Sequence, residues 1–141
     1  MINRVFICIF LLALTILGCK HEWQDPNTSI PARRVAIDVI LTNSIIYDSA
    51  GVIVEGKIWD LVFDTMEEAG REISFTEFKL ADQDGNYIRV FAPGHIPVVE
   101  GDIVEVTGIY RRDLGKQRHY FSNEIEAIRV QREKQDLKAN D

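Results

Sequence analysis

Four aromatic rings and two cations can be placed on one side of three short strands: Trp59, Phe75, Tyr87 and Phe91, with Lys79 and Arg89. Alternation does this, because Phe78, Leu80, Ile88 and Val90 then take the opposite side, which is apolar enough to be a core. Rings interleaved with cations can stack on bases or sugar rings, each stacked base contributing about 1–3 kcal/mol. The same rings also suit packing beneath the segment Val62 to Ser74 or against an N-terminal helix, and both readings are open. A second group of cations, Arg111, Arg112, Lys116 and Arg118 with His119, precedes Tyr120 and Phe121. Its opposite is the segment Asp60 to Ser74, where Asp60, Asp64, Glu67, Glu68 and Glu72 stand against Arg71 alone. As two loops on one rim they make a groove with a negative and a positive side. Such a groove suits a peptide or protein carrying both signs better than a polynucleotide.

Other chemistries lack their parts. His21, His95 and His119 share no metal-ligand spacing, and no thiol stands ready to join them, so neither a metal nor a cofactor is expected. Asp82-Gln83-Asp84-Gly85-Asn86 lacks the ligand series and the distal Glu of a calcium loop and reads as a turn. There is no nucleophile elbow, no Gly-rich phosphate loop and no Cys/His pair, so the chain is not expected to be an enzyme.

The elements that must position these residues follow from patterning. A thirteen-residue apolar run, Val5 to Leu17, follows Arg4; it is shorter than the roughly 20 residues that span a bilayer and reads as an export signal. Removal of residues 1–18 leaves 15 Lys and Arg against 22 Asp and Glu, a formal charge of −7 that opposes binding to nucleic acid. Cys8 lies in the signal, so no structural disulfide is available and one domain must rest on its hydrophobic core. Residues 19–31, polar and broken by Pro26 and Pro31, read as a tether spanning on the order of 20 Å, with Trp23 either a membrane-interface contact or an ordinary tether residue. Residues 131–141 form a charged tail.

Between them, Arg33 to Ile46 patterns as an amphipathic helix with Val35, Val39 and Ile46 on its apolar side. Strands are expected near Val52–Leu61, Phe75–Ala81, Tyr87–Ala92, Asp102–Tyr110 and His119–Val130, the second and third joined at the Asp84-Gly85 step. Gly56 and Gly108 inside strands suggest sharp bends in a sheet that closes on itself.

Ile16-Leu17-Gly18-Cys19 resembles the lipobox of bacterial lipoproteins, with Ile16 in place of the usual Leu and Leu17 in place of a small residue. That resemblance implies lipidation of Cys19 and a lipid-anchored place in the cell envelope, facing the periplasm. Val54-Glu55-Gly56-Lys57-Ile58, Phe78-Lys79-Leu80-Ala81-Asp82 with Asp84-Gly85-Asn86, and Glu100 to Gly108 resemble the OB-fold superfamily, in particular its tRNA-anticodon-binding type. This implies an all-β, five-stranded Greek-key barrel over residues 32–130, with one N-terminal helix. OB domains bind nucleic acids, sugars, peptides and metabolites, so the resemblance leaves the ligand open. The helix usual between strands three and four would fall at Pro93 to Glu100, where Pro93, Gly94 and Pro97 make a loop, so the helix at Arg33 to Ile46 is expected to cover that barrel end. The haem chaperones of cytochrome c maturation are exported OB folds that attach haem through a histidine beyond the last strand, followed by a tyrosine. Glu126 to Asp141 contains neither, so no haem is implied.

The expected function is a non-enzymatic binding or scaffold module that docks an envelope protein or peptide. The alternative is a binder of single-stranded nucleic acid or oligosaccharide through the aromatic face.

Overall fold

The computed structural model describes residues 22–24, 29–113 and 122–133. The signal segment 1–18, Cys19, Arg118 and the end of the tail lie outside them. One sheet contains β1 (Glu22–Gln24), β2 (Arg33–Arg34), β3 (Gly51–Glu68), β4 (Arg71–Ala81), β5 (Tyr87–Pro93), β6 (Ile103–Asp113) and β7 (Ser122–Arg132). Five of these strands close a ring. β3 pairs with β4, β4 with β5, β5 with β7, β7 with β6, and β6 returns to β3. Every seam is antiparallel except β5–β7, which is parallel over Arg89–Phe91 and Glu124–Glu126.

The five expected strands are therefore present, with two short ones added. β2 runs parallel to the start of β3. β1 lies on β7 at Arg129–Gln131, beyond the point where β5 stops pairing, and so continues that seam. Glu22–Gln24, expected within the tether, form β1, and Gln131 and Arg132, expected in the tail, complete β7.

Alternation fills the barrel. Val52, Val54 and Ile58 on β3, Phe78 and Leu80 on β4, Ile88, Val90 and Ala92 on β5, Val104, Val106 and Tyr110 on β6, and Ile125 and Val130 on β7 are all buried. β3 serves two neighbours by changing partner at Lys57: β6 pairs with it before that residue and β4 after it. At this crossing a Cβ on Gly56 would lie 2.7 Å from the Ala81 carbonyl oxygen and 2.9 Å from Leu80 Cγ, so a strand this tightly curled leaves no room for a side chain there.

The largest departure from expectation lies after Trp59. β3 does not end near Leu61. It bulges, with Asp60 and Leu61 opposite Phe78, and continues to Glu68 as one half of a long hairpin with β4. Ala69 (φ 51°) and Gly70 (φ 72°) form its two-residue turn, the left-handed pair that matches strand twist. The acidic segment Asp60 to Ser74 is therefore a projecting arm and not a loop. Glu100 holds the bulge by accepting hydrogen bonds from the Asp60 and Leu61 N–H groups at 3.0 and 2.9 Å.

The single helix expected at Arg33 to Ile46 is also corrected. The chain forms β2, then α1 (Ile37–Thr42) and α2 (Ser44–Tyr47). Asn43 divides the helices, and its side-chain amide donates to the Val39 carbonyl while Thr42 Oγ1 donates to that of Asp38. Such local bonds compete with helix continuation. Of the expected apolar side, Val35 is buried, together with Ile37 and Ile40, whereas Val39 and Ile46 are exposed, as is Ile45.

These helices sit where β3 starts and β6 ends: the Ser49 N–H donates to the Tyr110 carbonyl, and Asp48 Oδ1 accepts from the Arg112 N–H. That is the opposite end from the missing helix. The Pro93 to Glu100 segment is a loop as expected, and it plugs its own end of the barrel with buried Ile96 and Val98. Buried Thr76 fixes it in place. Its Oγ1 donates to the Gly94 carbonyl at 2.7 Å and accepts from the Ile96 N–H at 3.1 Å. Thr76→Val keeps the shape but strips both bonds, and is expected to lower unfolding free energy in urea by about 1–3 kcal/mol.

Candidate binding face

The outer surface of β3, β4 and β5 is a grid whose rows are set by register. Successive rows are Lys57, Ala81 and Tyr87; Trp59, Lys79 and Arg89; Val62, Glu77 and Phe91; and Asp64, Phe75 and Pro93. Along the arm the same face continues with Met66 beside Ile73 and Glu68 beside Arg71. Trp59, Phe75, Lys79, Tyr87, Arg89 and Phe91 thus share one outward face. The arm does not fold back over it, because Val62 to Ser74 is itself part of the sheet.

The rings divide into two kinds. Phe75 and Phe91 stack on each other, centroids 5.4 Å apart with 24° between planes, and are partly buried by that contact. Trp59 and Tyr87 are 48% and 49% exposed. Each of these two lies beneath an ammonium group: Lys57 Nζ is 4.8 Å from the Trp59 ring centre, and Lys79 Nζ is 5.0 Å from that of Tyr87.

The cations are matched by carboxylates. Lys79 Nζ lies 2.5 Å from Asp60 Oδ2, a contact possible because the bulge turns Asp60 toward β4. The hydrogen bond from Lys79 to Asp60, reinforced by their charges, raises the lysine pKa above its ordinary value. Arg89 pairs with Glu77 at 3.3 Å. On the neighbouring strands, Arg111 Nε is 3.4 Å from Glu126 Oε2, and its guanidinium also donates to Ser49 Oγ at 2.9 Å. Register also brings buried Glu124 between Arg89 and Arg111.

Arg111 and Arg112 are therefore not part of the aromatic grid. They lie at the end of β6, at the opposite end of the barrel from the arm, with Arg111 tied into the framework and Arg112 exposed. Of the positive side expected on one rim with the acidic segment, Arg111 and Arg112 lie at the opposite end from the arm, and Lys116, Arg118 and His119 lie outside the described residues. His95 also sits away from the grid's centre, its ring edge-on to Phe63 at 5.4 Å. Among the described residues, no three His, Cys, Asp or Glu side chains converge to hold a metal ion.

Sequence reasoning did not identify Asp60 and Glu100 as parts of the site. Glu100 shapes the bulge, the bulge orients Asp60, and Asp60 holds Lys79 over Tyr87. The like-charged residues around Asp60 concealed it, and Glu100 stands 40 positions away from its partner.

No protein-family model and no curated protein matches the chain. Among solved structures it is similar to the OB domain of Ta0387 from Thermoplasma acidophilum, determined by NMR in solution. The TM-score is 0.52 and the identity 18%, over 79% of this chain and 95% of that one. The chain has the OB fold. At that identity the likeness carries the architecture alone, and the ligand must be argued from the face.

Proposed function

We propose that this chain is a non-enzymatic OB-fold binding module, held at the bacterial envelope by lipid on Cys19, whose outer β3–β4–β5 face docks a protein or peptide. The observation that carries this reading is the pairing of Lys79 with Asp60 and Arg89 with Glu77 between half-exposed Trp59 and Tyr87. Aromatic anchors among ion pairs match the composition of protein–protein contacts, where Tyr, Trp and Arg supply most of the energy. A surface for polynucleotide needs cations available to phosphate, whereas here carboxylates already occupy Lys79 and Arg89 and the adjoining arm adds Asp64, Glu67, Glu68 and Glu72.

Titration with single-stranded DNA tests the assignment of ligand class. The expected result is no measurable binding at physiological salt. A micromolar complex whose affinity falls steeply with added salt would replace the protein partner by a polynucleotide, and a salt-insensitive complex with an oligosaccharide would replace it by a sugar.

A further inference from the structure

Strand β3 has an edge that closure of the barrel does not use. β6 pairs with it as far as Lys57; the Gly101 N–H then donates to the Ile58 carbonyl and the Ile58 N–H to that of Asp102, and Glu100 caps Asp60 and Leu61. Beyond that point, among the described residues, no strand lies on the side of Val62 to Glu68 away from β4. The stretch has the length of an ordinary strand, enough to hold a further one. The outer edge of β4 in the arm is shorter, because the Gly94 N–H already donates to the Ser74 carbonyl. Register shows which backbone groups the β3 edge offers. Glu68 and Arg71 flank the two-residue turn, and such a pair exchanges hydrogen bonds, as do Met66, Asp64 and Val62 with their partners at every second position. Phe63, Thr65 and Glu67 therefore turn their N–H and C=O groups away from β4. The Thr65 N–H agrees, since it donates to Asp64 Oδ1 at 2.8 Å.

Charge selects what can occupy this edge. Val62 to Glu68 carries Asp64, Glu67 and Glu68 and no cation, and Glu72 stands opposite Glu67 on β4. Two copies of the chain joined here would bring the carboxylates of both into one seam, where like charges oppose each other. A strand with lysine or arginine at alternate positions meets the opposite condition. Laid antiparallel, as β6 and β4 are, it directs its cations to Asp64 and Glu68 on one face and its apolar side chains to Phe63 and Thr65 on the other, all of them exposed. A cation drawn to Asp64 also releases the Thr65 N–H to the incoming backbone. Space is present, for an open groove of about 510 Å³ lies against the arm, lined by Thr65, Met66, Glu67, Gly70 and Glu72.

We propose that the arm captures an extended basic segment of a partner protein as an added strand on the Val62 to Glu68 edge. Main-chain hydrogen bonds then supply the affinity and the acidic side chains the specificity. This goes beyond the β3–β4–β5 face and does not rest on it, because an added strand lies in the plane of the sheet, whereas Trp59 and Tyr87 stand on its outer surface.

The test titrates the full chain, in detergent at low salt, with the blocked peptide Lys-Val-Lys-Val-Lys-Val-Lys and with its counterpart bearing Glu for Lys. The basic peptide is expected to bind at least about tenfold more tightly and to slow hydrogen exchange at the Phe63 and Glu67 amides by about tenfold. Methyl groups on the valine nitrogens, which face β3 in this register, are expected to weaken it about tenfold, whereas methyl groups on the lysine nitrogens are tolerated. Thr65→Pro should weaken it similarly, since proline is accepted on an edge where the N–H points away from the ladder. Asp64→Lys with Glu68→Lys, which leaves the backbone untouched, should reverse the preference to the acidic peptide. Absence of binding overturns the proposal. Binding that protects neither amide and ignores valine methylation is charge attraction alone and overturns it too. A dimer that protects both amides without peptide puts a second copy on the edge and overturns the choice of occupant.

Discussion

Gly108→Val is expected to abolish cooperative folding, and Gly108→Ala to lower the melting temperature by about 10–20 °C. Gly108 stands at a register shift in the β6–β7 seam, where Thr107 faces Arg129 and Gly108 already faces Ala127. A Cβ at this position would lie 2.3 Å from the Glu126 carbonyl oxygen and 3.0 Å from Ala127 Cα, both backbone atoms. Neither can withdraw, because Glu126 is also paired with Phe91 across the parallel seam that closes the barrel. Overpacking in a core commonly costs about 1–3 kcal/mol, and each kcal/mol shifts the melting temperature of such a domain by about 4–8 °C. A branched side chain driven into a neighbouring backbone exceeds that range and consumes most of a typical stability of about 5–15 kcal/mol. Gly70→Asn is the control. Nothing lies within 4 Å of its Cβ position, and Asn tolerates the left-handed turn conformation, so its thermal transition should stay within a few degrees of the parent's.

The second large effect is on binding. Tyr87→Ala is expected to weaken capture of the partner by about 30-fold or more while changing stability by less than about 1 kcal/mol. A central aromatic anchor in a protein interface contributes 2 kcal/mol or more, which is the basis of the fold-change. The small stability effect follows from Tyr87 being half-exposed, its contact with Lys79 being a surface cation–π pair. Phe91→Ala should behave differently, since it also removes the stack on Phe75 and so lowers stability together with binding. Paired melting and affinity measurements on the two variants distinguish an anchor from a packing residue. If Tyr87→Ala melts far below the parent and binds normally, the ring belongs to the framework.

How far these features could be read beforehand depended on whether their cause was local. Phe78, Leu80, Ile88 and Val90 were legible as core because period-two alternation runs unbroken through both strands, and the Asp82 carboxylate that accepts from the Asp84 and Asn86 N–H groups is a local turn device. Gly56 and Gly108 were legible as bends because a glycine inside an apolar strand has few other uses. The arm was not legible. The bulge at Asp60 and Leu61 reverses which residues face outward, so alternation that placed Ile58 inward does not continue through Val62, and the run reads as ended. What sustains the bulge is Glu100, a contact that only the closed barrel creates.

The helical segment was ambiguous for a related reason. Its apolar positions fit more than one stripe, and the Arg33–Arg34 pairing with Val52 and Ile53 is decided by the start of β3 rather than by any preference of two arginines for a strand. β1 is equally silent in sequence, since Glu22, Trp23 and Gln24 are held by an edge that β5 leaves unpaired. For the site, the shared face of the aromatic residues followed from alternation. Its electrostatic character did not, because the pairing of Lys79 with Asp60 depends on the bulge.

The central claim, that the β3–β4–β5 face docks a protein, is tested most directly by placing a photoreactive amino acid at Tyr87 and, as a control, at exposed Ile45 on α2, then irradiating living cells. The account predicts a discrete protein adduct from position 87 and none from position 45. An adduct from position 87 that nuclease removes, or protein adducts from position 45 alone, would contradict it.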